Sequence, residues 1–273
     1  MQHFRATPRE MTGSLWRNRN LIMTLIKREV VGRYRGSVMG IAWSFFNPIL
    51  MLLVYTFVFS VVFKARWVVG GDEGKTVFAI VLFVGMIVHG LFAECVNRAP
   101  GLILSNVNYV KKVIFPLEIL PCVALGSALF HTAVSLVVLL LAQLILNQQL
   151  KWTVLLFPCV LLPLVFATMG FAWFLAGLGV YVRDIGQITG MITAVLLFLS
   201  PVFYPLSALP EQYQTWLHLN PLTFIIEEGR NTLIFGRVPD IGEWGMRLAG
   251  GMLVAWAGFA WFQKIRKGFA DVL

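Results

Sequence analysis

Six apolar runs dominate the chain, and each approaches what a lipid bilayer demands of a helix. About 20 consecutive apolar residues are needed to cross the ~30 Å hydrocarbon core. Residues 41–63 carry no charge, 77–93 form a short run with His89 as its titratable group, and 119–146 and 153–182 are long and uncharged. Residues 188–203 are a short run with Pro201 near its end, and 246–262 hold Arg247 at the edge. Backbone N–H and C=O groups find no partner in hydrocarbon, so such runs must fold as helices. The expected fold is therefore an all-α integral membrane protein with six transmembrane helices. Composition agrees. Of 273 residues, 58% are hydrophobic and 13% charged, where a soluble domain has about 45–50% and about 25%. A disordered chain, a disulfide-held secreted scaffold and an ordinary soluble enzyme are excluded.

Six spans put both termini on one side, and lysine and arginine decide which side. With the termini inside, the inner segments hold fifteen basic residues, from Arg5, Arg9, Arg17, Arg19, Lys27, Arg28, Arg33 and Arg35 through Arg98, Lys111, Lys112 and Arg183 to Lys264, Arg266 and Lys267. The outer segments hold six: Lys64, Arg66, Lys75, Lys151, Arg230 and Arg237. Both termini are expected in the cytoplasm. The net charge of +9 is then a topology signal, and no nucleic-acid partner is expected. No apolar stretch follows the first basic residues, so no secretory signal is expected. Cys95, Cys122 and Cys159 lie in or beside apolar runs without metal or redox spacing and read as small core residues.

Two segments are neither spans nor simple loops. At 100° per residue over 13–35, Leu15, Ile22, Ile26 and Val30 share a stripe, with Arg17, Asn20, Thr24, Arg28 and Arg35 opposite. Arg19, Glu29 and Arg33 blur its edge. The pattern predicts a helix lying in the membrane interface, so residues 1–37 form an N-terminal segment ahead of a transmembrane domain, 38–273. The outer segment 204–243 has two helix starts, Pro210-Glu211 and Asn220-Pro221, with proline suited to the first turn and Asn220 able to cap. Its second helix, 221–235, is too apolar for a solvated loop, yet it carries Glu227, Glu228 and Arg230. A pair of re-entrant helices covered by the bundle is expected.

Catalytic constellations are lacking in the sequence. The stretch Gly70-Gly71-Asp72-Glu73-Gly74-Lys75-Thr76 resembles a phosphate-binding loop, but the motif's first glycine position is Val69. The chain is not expected to hydrolyse ATP. His3, His89, His131 and His218 are scattered without ligand spacing, so no metal site is expected. His131 reads as a hydrogen-bonded packing residue, and His89 with Glu94 could form a proton relay. Gly36-x-x-x-Gly40 and Gly186-x-x-x-Gly190 would allow close helix contact. Aromatic residues Trp43, Phe46, Tyr55, Phe59, Phe198 and Tyr204 either face lipid and neighbouring helices or line a pathway, since sugar rings stack on aromatic faces. Between spans two and three, within 95–115, a short helix over 99–108 is either a docking knob for a cytoplasmic partner or a plain connection.

A family resemblance bears on these alternatives. Lys27-Arg28-Glu29-Val30-Val31-Gly32-Arg33-Tyr34-Arg35-Gly36-Ser37-Val38-Met39-Gly40-Ile41-Ala42-Trp43, running into Asn47-Pro48 and Tyr55-Thr56-Phe57-Val58-Phe59-Ser60, strongly resembles the start of the membrane subunits of type-2 polysaccharide ABC exporters. These are the O-antigen and teichoic-acid exporters. Tyr181-Val182-Arg183-Asp184-Ile185, Ser200-Pro201-Val202-Phe203-Tyr204-Pro205 and Asn220-Pro221 are similar to later signatures of the family.

The resemblance implies a homodimer of six-span permeases in the bacterial inner membrane, each bound to a separate ATP-binding subunit that holds ATP and Mg; this chain needs no cofactor. It implies a coupling helix with Arg98, Leu102, Ser105 and Asn106 toward the ATPase. It also implies a channel passing a lipid-linked polysaccharide outward. Lys27, Arg28, Arg33 and Arg35 stand at the depth where a lipid diphosphate would come in, which suits charge-assisted contacts; anionic membrane lipids would attract them as well. A type-2 permease for a drug or another lipid, and a proton-coupled secondary transporter, are the alternatives.

Overall fold

The computed structural model describes residues 6–62, 75–111 and 115–273. The glycine-rich stretch at 70–74, with Lys64, Arg66 and Lys112, lies outside them. Helix is the only regular structure among the described residues. Helices α1 (Pro8–Arg17) and α2 (Arg19–Arg33) precede α3 (Trp43–Tyr55), which runs on as a π-helical stretch, Thr56–Val62. After α4 (Lys75–Arg98) come two 3₁₀ turns and α5 (Val107–Lys111), then α6 (Ile119–Asn147), α7 (Phe157–Tyr181) and α8 (Ile185–Leu199). Helices α9 (Glu211–His218) and α10 (Pro221–Arg230) are followed by α11 (Ile241–Ile265) and the terminal turn α12 (Phe269–Val272).

Among the described residues, four stretches are long and apolar enough to cross a membrane: Gly40–Phe59, Phe78–Gly101, Ile119–Leu146 and Trp152–Tyr181. At 1.5 Å per residue, α8 reaches only about 22 Å, while α11 is long enough but carries Glu243 and Arg247 in its first turns.

α4 runs through the centre, with Val84, Ile87, Leu91 and Cys95 in the main core beside Phe157 and Trp173 of α7. It passes beyond the expected end at residue 93, through Glu94 to Arg98, because both charges find partners on neighbouring elements. α7 and α11 approach closely enough that a Cβ on Gly258 would stand 2.1 Å from the Gly170 carbonyl oxygen. Trp173 meets Phe259 edge-on there, ring centroids 5.2 Å apart. Small residues let helices meet where burial from water offers no driving force. The two glycine pairs read from sequence do not serve this purpose. Gly186 and Gly190 have open space where a side chain would be, and Gly36 and Gly40 instead take positive φ in the turn between α2 and α3. Cys95 is buried, whereas Cys159 is exposed on α7 rather than in the core.

The interfacial segment is two helices, broken at Asn18, whose side-chain amide donates to the Ser14 carbonyl at 2.8 Å. The expected stripe turns inward: Val30 is buried, and Ile22 and Ile26 pack with Leu25 against Ile119 and Val123 of α6. The buried Glu118, just before α6, fastens this end of the molecule. It accepts from Ser14 at 2.8 Å and from Arg266 at 2.7 Å. Burial pushes the Arg266 guanidinium below its usual range, and Glu118 beside it pulls it back up. Helix α1 and the segment after α11 therefore meet at one end of the bundle, called basal below.

At the opposite end, the two expected helix starts are present as α9 and α10, and Asn220 caps α10 by accepting from the Leu222 N–H at 2.9 Å. α10 is held on its apolar face, with Leu222, Phe224, Ile225 and Ile226 buried. Its irregular continuation Asn231–Phe235 is satisfied by protein: Thr153 donates to the Thr232 carbonyl at 2.6 Å and Gln143 to the Leu233 carbonyl at 3.0 Å. Asn231–Phe235 is a π-helical turn, and such departures from the α-helix need partners of this kind where water is absent.

Candidate functional site

The most polar interior feature lies at the basal end, where the turn after α2 brings α3 against α4 and α6. Residues at i, i+1 and i+4 share a helix face, so α6 presents His131, Thr132 and Ser135 together, and α4 presents Gly90, Leu91 and Glu94. With Arg33, Tyr34, Trp43, Phe46 and Asn47 they line a cavity of about 480 Å³. Glu94 is its organising group. Arg33 donates to Glu94 at 2.7 Å, His131 Nδ1 stands 3.0 Å from the same oxygen, and Arg98 lies 3.8 Å away on the other side. The Tyr34 hydroxyl is 3.2 Å from His131 Nε2. Arg33 Nη1 also stands 3.0 Å from His131 Nδ1, so the imidazole lies between Glu94, Arg33 and Tyr34. Arg98 is also ion-paired with Glu29 of α2.

The four basic residues assigned to a lipid diphosphate are thus dispersed. Arg33 faces the cavity, Arg28 donates to the Tyr109 hydroxyl at 3.1 Å, and Lys27 and Arg35 stand exposed. The six aromatic candidates divide as well. Trp43 and Phe46 meet edge-on at 5.1 Å beside the cavity. Phe59 and Phe198 both stack on Phe203 at the far end, at 6.0 and 5.6 Å, and the Tyr204 hydroxyl donates to the Phe198 carbonyl at 3.0 Å. Tyr55 is half-buried against the core. The His89 Nε2 lies 2.9 Å from the Thr193 carbonyl of α8, away from the Glu94 cluster, so the structure gives no direct link for the proton relay considered as an alternative. Among the described residues no group of His, Cys, Asp or Glu could hold a metal.

The expected single helix over 99–108 is instead two 3₁₀ turns, Ala99–Gly101 and Leu104–Asn106, leading into α5. Ser105 is exposed and donates to the Gly101 carbonyl at 2.8 Å, and the Asn106 amide donates to the Leu102 carbonyl at 2.9 Å. Leu102 itself is buried and seats the segment.

Residues 20–234 match the family described as ABC-2 type transporter. The chain belongs to that family. Curated relatives of this ABC-2 chain extend over almost its full length. An O-antigen export system permease protein, RfbA, of Myxococcus xanthus is 29% identical over 94% of this chain and 96% of its own length. An RfbA of Klebsiella pneumoniae is 23% identical over 93% and 95%. A polysialic acid transport protein, KpsM, of Escherichia coli is 22% identical over 80% and 83%.

Two groups that organise this ABC-2 fold escaped the sequence: Glu118, a lone carboxylate beside an apolar run, and Arg266, counted only as a tail charge. Arg230 was noted as a charge within 221–235, but not what it holds. Arg230 is 1% exposed and reaches three acceptors: Glu227 at 2.7 Å and the carbonyls of Val202 at 2.9 Å and Val81 at 3.3 Å. Its place beside Glu227 and Glu228 in a largely apolar run was the available signal, since such a charge persists only with partners.

Proposed function

We propose that this chain is the membrane subunit of an exporter that moves lipid-linked polysaccharide, O-antigen or a related glycan, across the bacterial inner membrane. A separate ATP-binding subunit supplies the energy. The observation that carries this reading is the nearly full-length similarity to O-antigen export permeases, together with a relative named as a polysialic acid transport protein. The basal end, where most lysine and arginine gather, is the cytoplasmic end in this reading. The chain crosses the membrane six times, with α8 and α11 as the fifth and sixth spans, and two copies form the permease. The segment 99–111 docks the ATPase, with exposed Ser105 at its tip. Arg33, Trp43 and Phe46 fit the cargo at the cavity, offering a guanidinium for phosphate and flat faces for sugar rings.

The test is deletion of the gene in its host with immunoblotting of surface polysaccharide. Surface glycan should vanish and lipid-linked glycan accumulate inside, with recovery on complementation. Ser105→Pro should insert normally, fail to complement and lose the copurifying ATP-binding subunit, because proline disrupts the turn it sits in. Unchanged surface glycan with raised drug sensitivity would favour a drug permease instead.

A further inference from the structure

Where α7 and α11 meet backbone to backbone, at Gly170 and Gly258, a groove is left on the outer face of the pair. Phe171 and Phe174 wall it from α7, and Val254, Ala257 and Trp261 from α11, around a hollow of about 410 Å³. Residues at i, i+3, i+4 and i+7 share a helix face, so Val254, Ala257, Gly258 and Trp261 form one stripe, and Lys264 continues it toward the basal end. Phe171, Phe174, Ala257 and Trp261 are exposed along this groove. From Val254 to Lys264 is about 15 Å at 1.5 Å per residue, half of the ~30 Å hydrocarbon core. The apolar stripe is therefore as long as one leaflet is deep.

A second hollow, of about 480 Å³, adjoins the basal end of the stripe. Ala257 and Trp261 wall both hollows, and Lys264 and Lys267 line only the second. No carboxylate lines either one. Lys267 belongs to the 3₁₀ turn Arg266–Gly268, three residues past Lys264. Arg266, between the two lysines, turns inward to Glu118 at 2.7 Å and to Gln263 at 3.1 Å. Lys264 and Lys267 stay exposed, and among the described residues neither ammonium pairs with a carboxylate or donates to an acceptor. The Trp261 indole N–H likewise donates to nothing among the described residues, and its ring lies 5.5 Å from that of Phe174. Two cations and a neutral donor thus stand at the end of an apolar groove one leaflet long.

We infer that this face binds one anionic phospholipid of the basal leaflet, its phosphate held by Lys264, Lys267 and the Trp261 N–H, and an acyl chain seated between α7 and α11. Charge complementarity selects the head, because a zwitterionic lipid brings its own cation beside the phosphate. A second copy of the chain fits less well. A two-fold axis along the membrane normal makes a patch meet itself, and the same lysines of both copies would then be brought together. The inference goes beyond the exporter reading: it needs α11 to lie in the bilayer and nothing of the cargo.

The full-length chain, delipidated in detergent, is titrated with phosphatidylglycerol or with phosphatidylcholine, and bound lipid is counted by native mass spectrometry. Wild type should hold one phosphatidylglycerol at least fivefold more tightly than phosphatidylcholine. Lys264→Gln with Lys267→Gln should erase that preference and leave phosphatidylcholine binding unchanged, while the corresponding arginine pair should keep it. Ala257→Phe, which fills the groove without touching the charges, should weaken phosphatidylglycerol at least fivefold, and glycerol 3-phosphate should fail to compete. An unchanged preference in the glutamine pair overturns the proposal. So does unchanged binding in Ala257→Phe, or competition by glycerol 3-phosphate as strong as by the lipid. A wild-type dimer that Ala257→Phe splits without altering lipid binding overturns it too, and gives the face to a second copy. Surface glycan is read separately in cells, so failure of the lipid site and failure of the exporter reading are distinct results.

Discussion

Arg230 has the environment in which a single substitution costs most. Its guanidinium is enclosed and serves Glu227 and two main-chain carbonyls from α4 and the turn after α8. Arg230→Met keeps the length of the side chain but leaves those acceptors without donors. Breaking a buried pair by removing one partner costs about 3–5 kcal/mol, so the melting midpoint of the purified protein should fall by many degrees. Glu227→Gln should destabilise as well, since it keeps an acceptor for the guanidinium but leaves the buried Arg230 charge uncompensated, although Glu227 itself is 35% exposed. Equal midpoints for Arg230→Met and wild type in detergent would show that the cage is dispensable. A charge count treats Arg230 as one unit of outer positive charge. What sets its role is a ring of carbonyls from residues 28 and 149 positions away, and nothing local in the sequence encodes that.

At the scale of elements, the pattern was far more readable. Apolar length located α3, α4, α6 and α7 to within a few residues, because a helix in hydrocarbon has no competing way to satisfy its backbone. The proline and asparagine signals located α9 and α10 for the equally local reason that caps act within one turn. What failed were features set by neighbours: the extension of α4 through Glu94, the break at Asn18 and the seating of Leu102. The docking of α2 on α6 is another such feature. A Cβ on Gly126 would stand 2.2 Å from Ile26 Cδ1, so α2 sits where α6 has no side chain. Gly126→Leu should lift α2 away and expose the bonds after Lys27 and Arg28 to trypsin, seen as new fragments by mass spectrometry. Adding Ile26→Ala should restore protection, since it vacates the space the leucine needs. Equal cleavage of wild type and Gly126→Leu would mean that α2 is not held by this contact.

For the whole molecule, the same distinction between local and distant information applies to the polar cavity. Arg33, Glu94 and His131 were each visible as charged or titratable residues near apolar runs, but 61 and 98 positions separate Arg33 from its two partners. Only the packing of three helices brings them together. Orientation, by contrast, follows from a count and can be checked chemically. Single cysteines at Glu211 and at Lys111, in a background lacking Cys95, Cys122 and Cys159, should behave oppositely toward a membrane-impermeant maleimide. The first should label in intact spheroplasts and the second only after permeabilisation. Labelling of both from outside would overturn the assignment of the basal end to the cytoplasm.

The carboxylate of Glu118 has a consequence for how such a chain is inserted. It holds Ser14, near one terminus, and Arg266, near the other. Between those residues the polypeptide must pass through the bilayer an even number of times, whatever tally of helices is adopted. A chain that skipped one passage, or added one, would leave the two partners on opposite surfaces with ~30 Å of hydrocarbon between them. Glu118 could then hold only one of them. Parity thus becomes a condition of closing the fold, and a single side chain tests it.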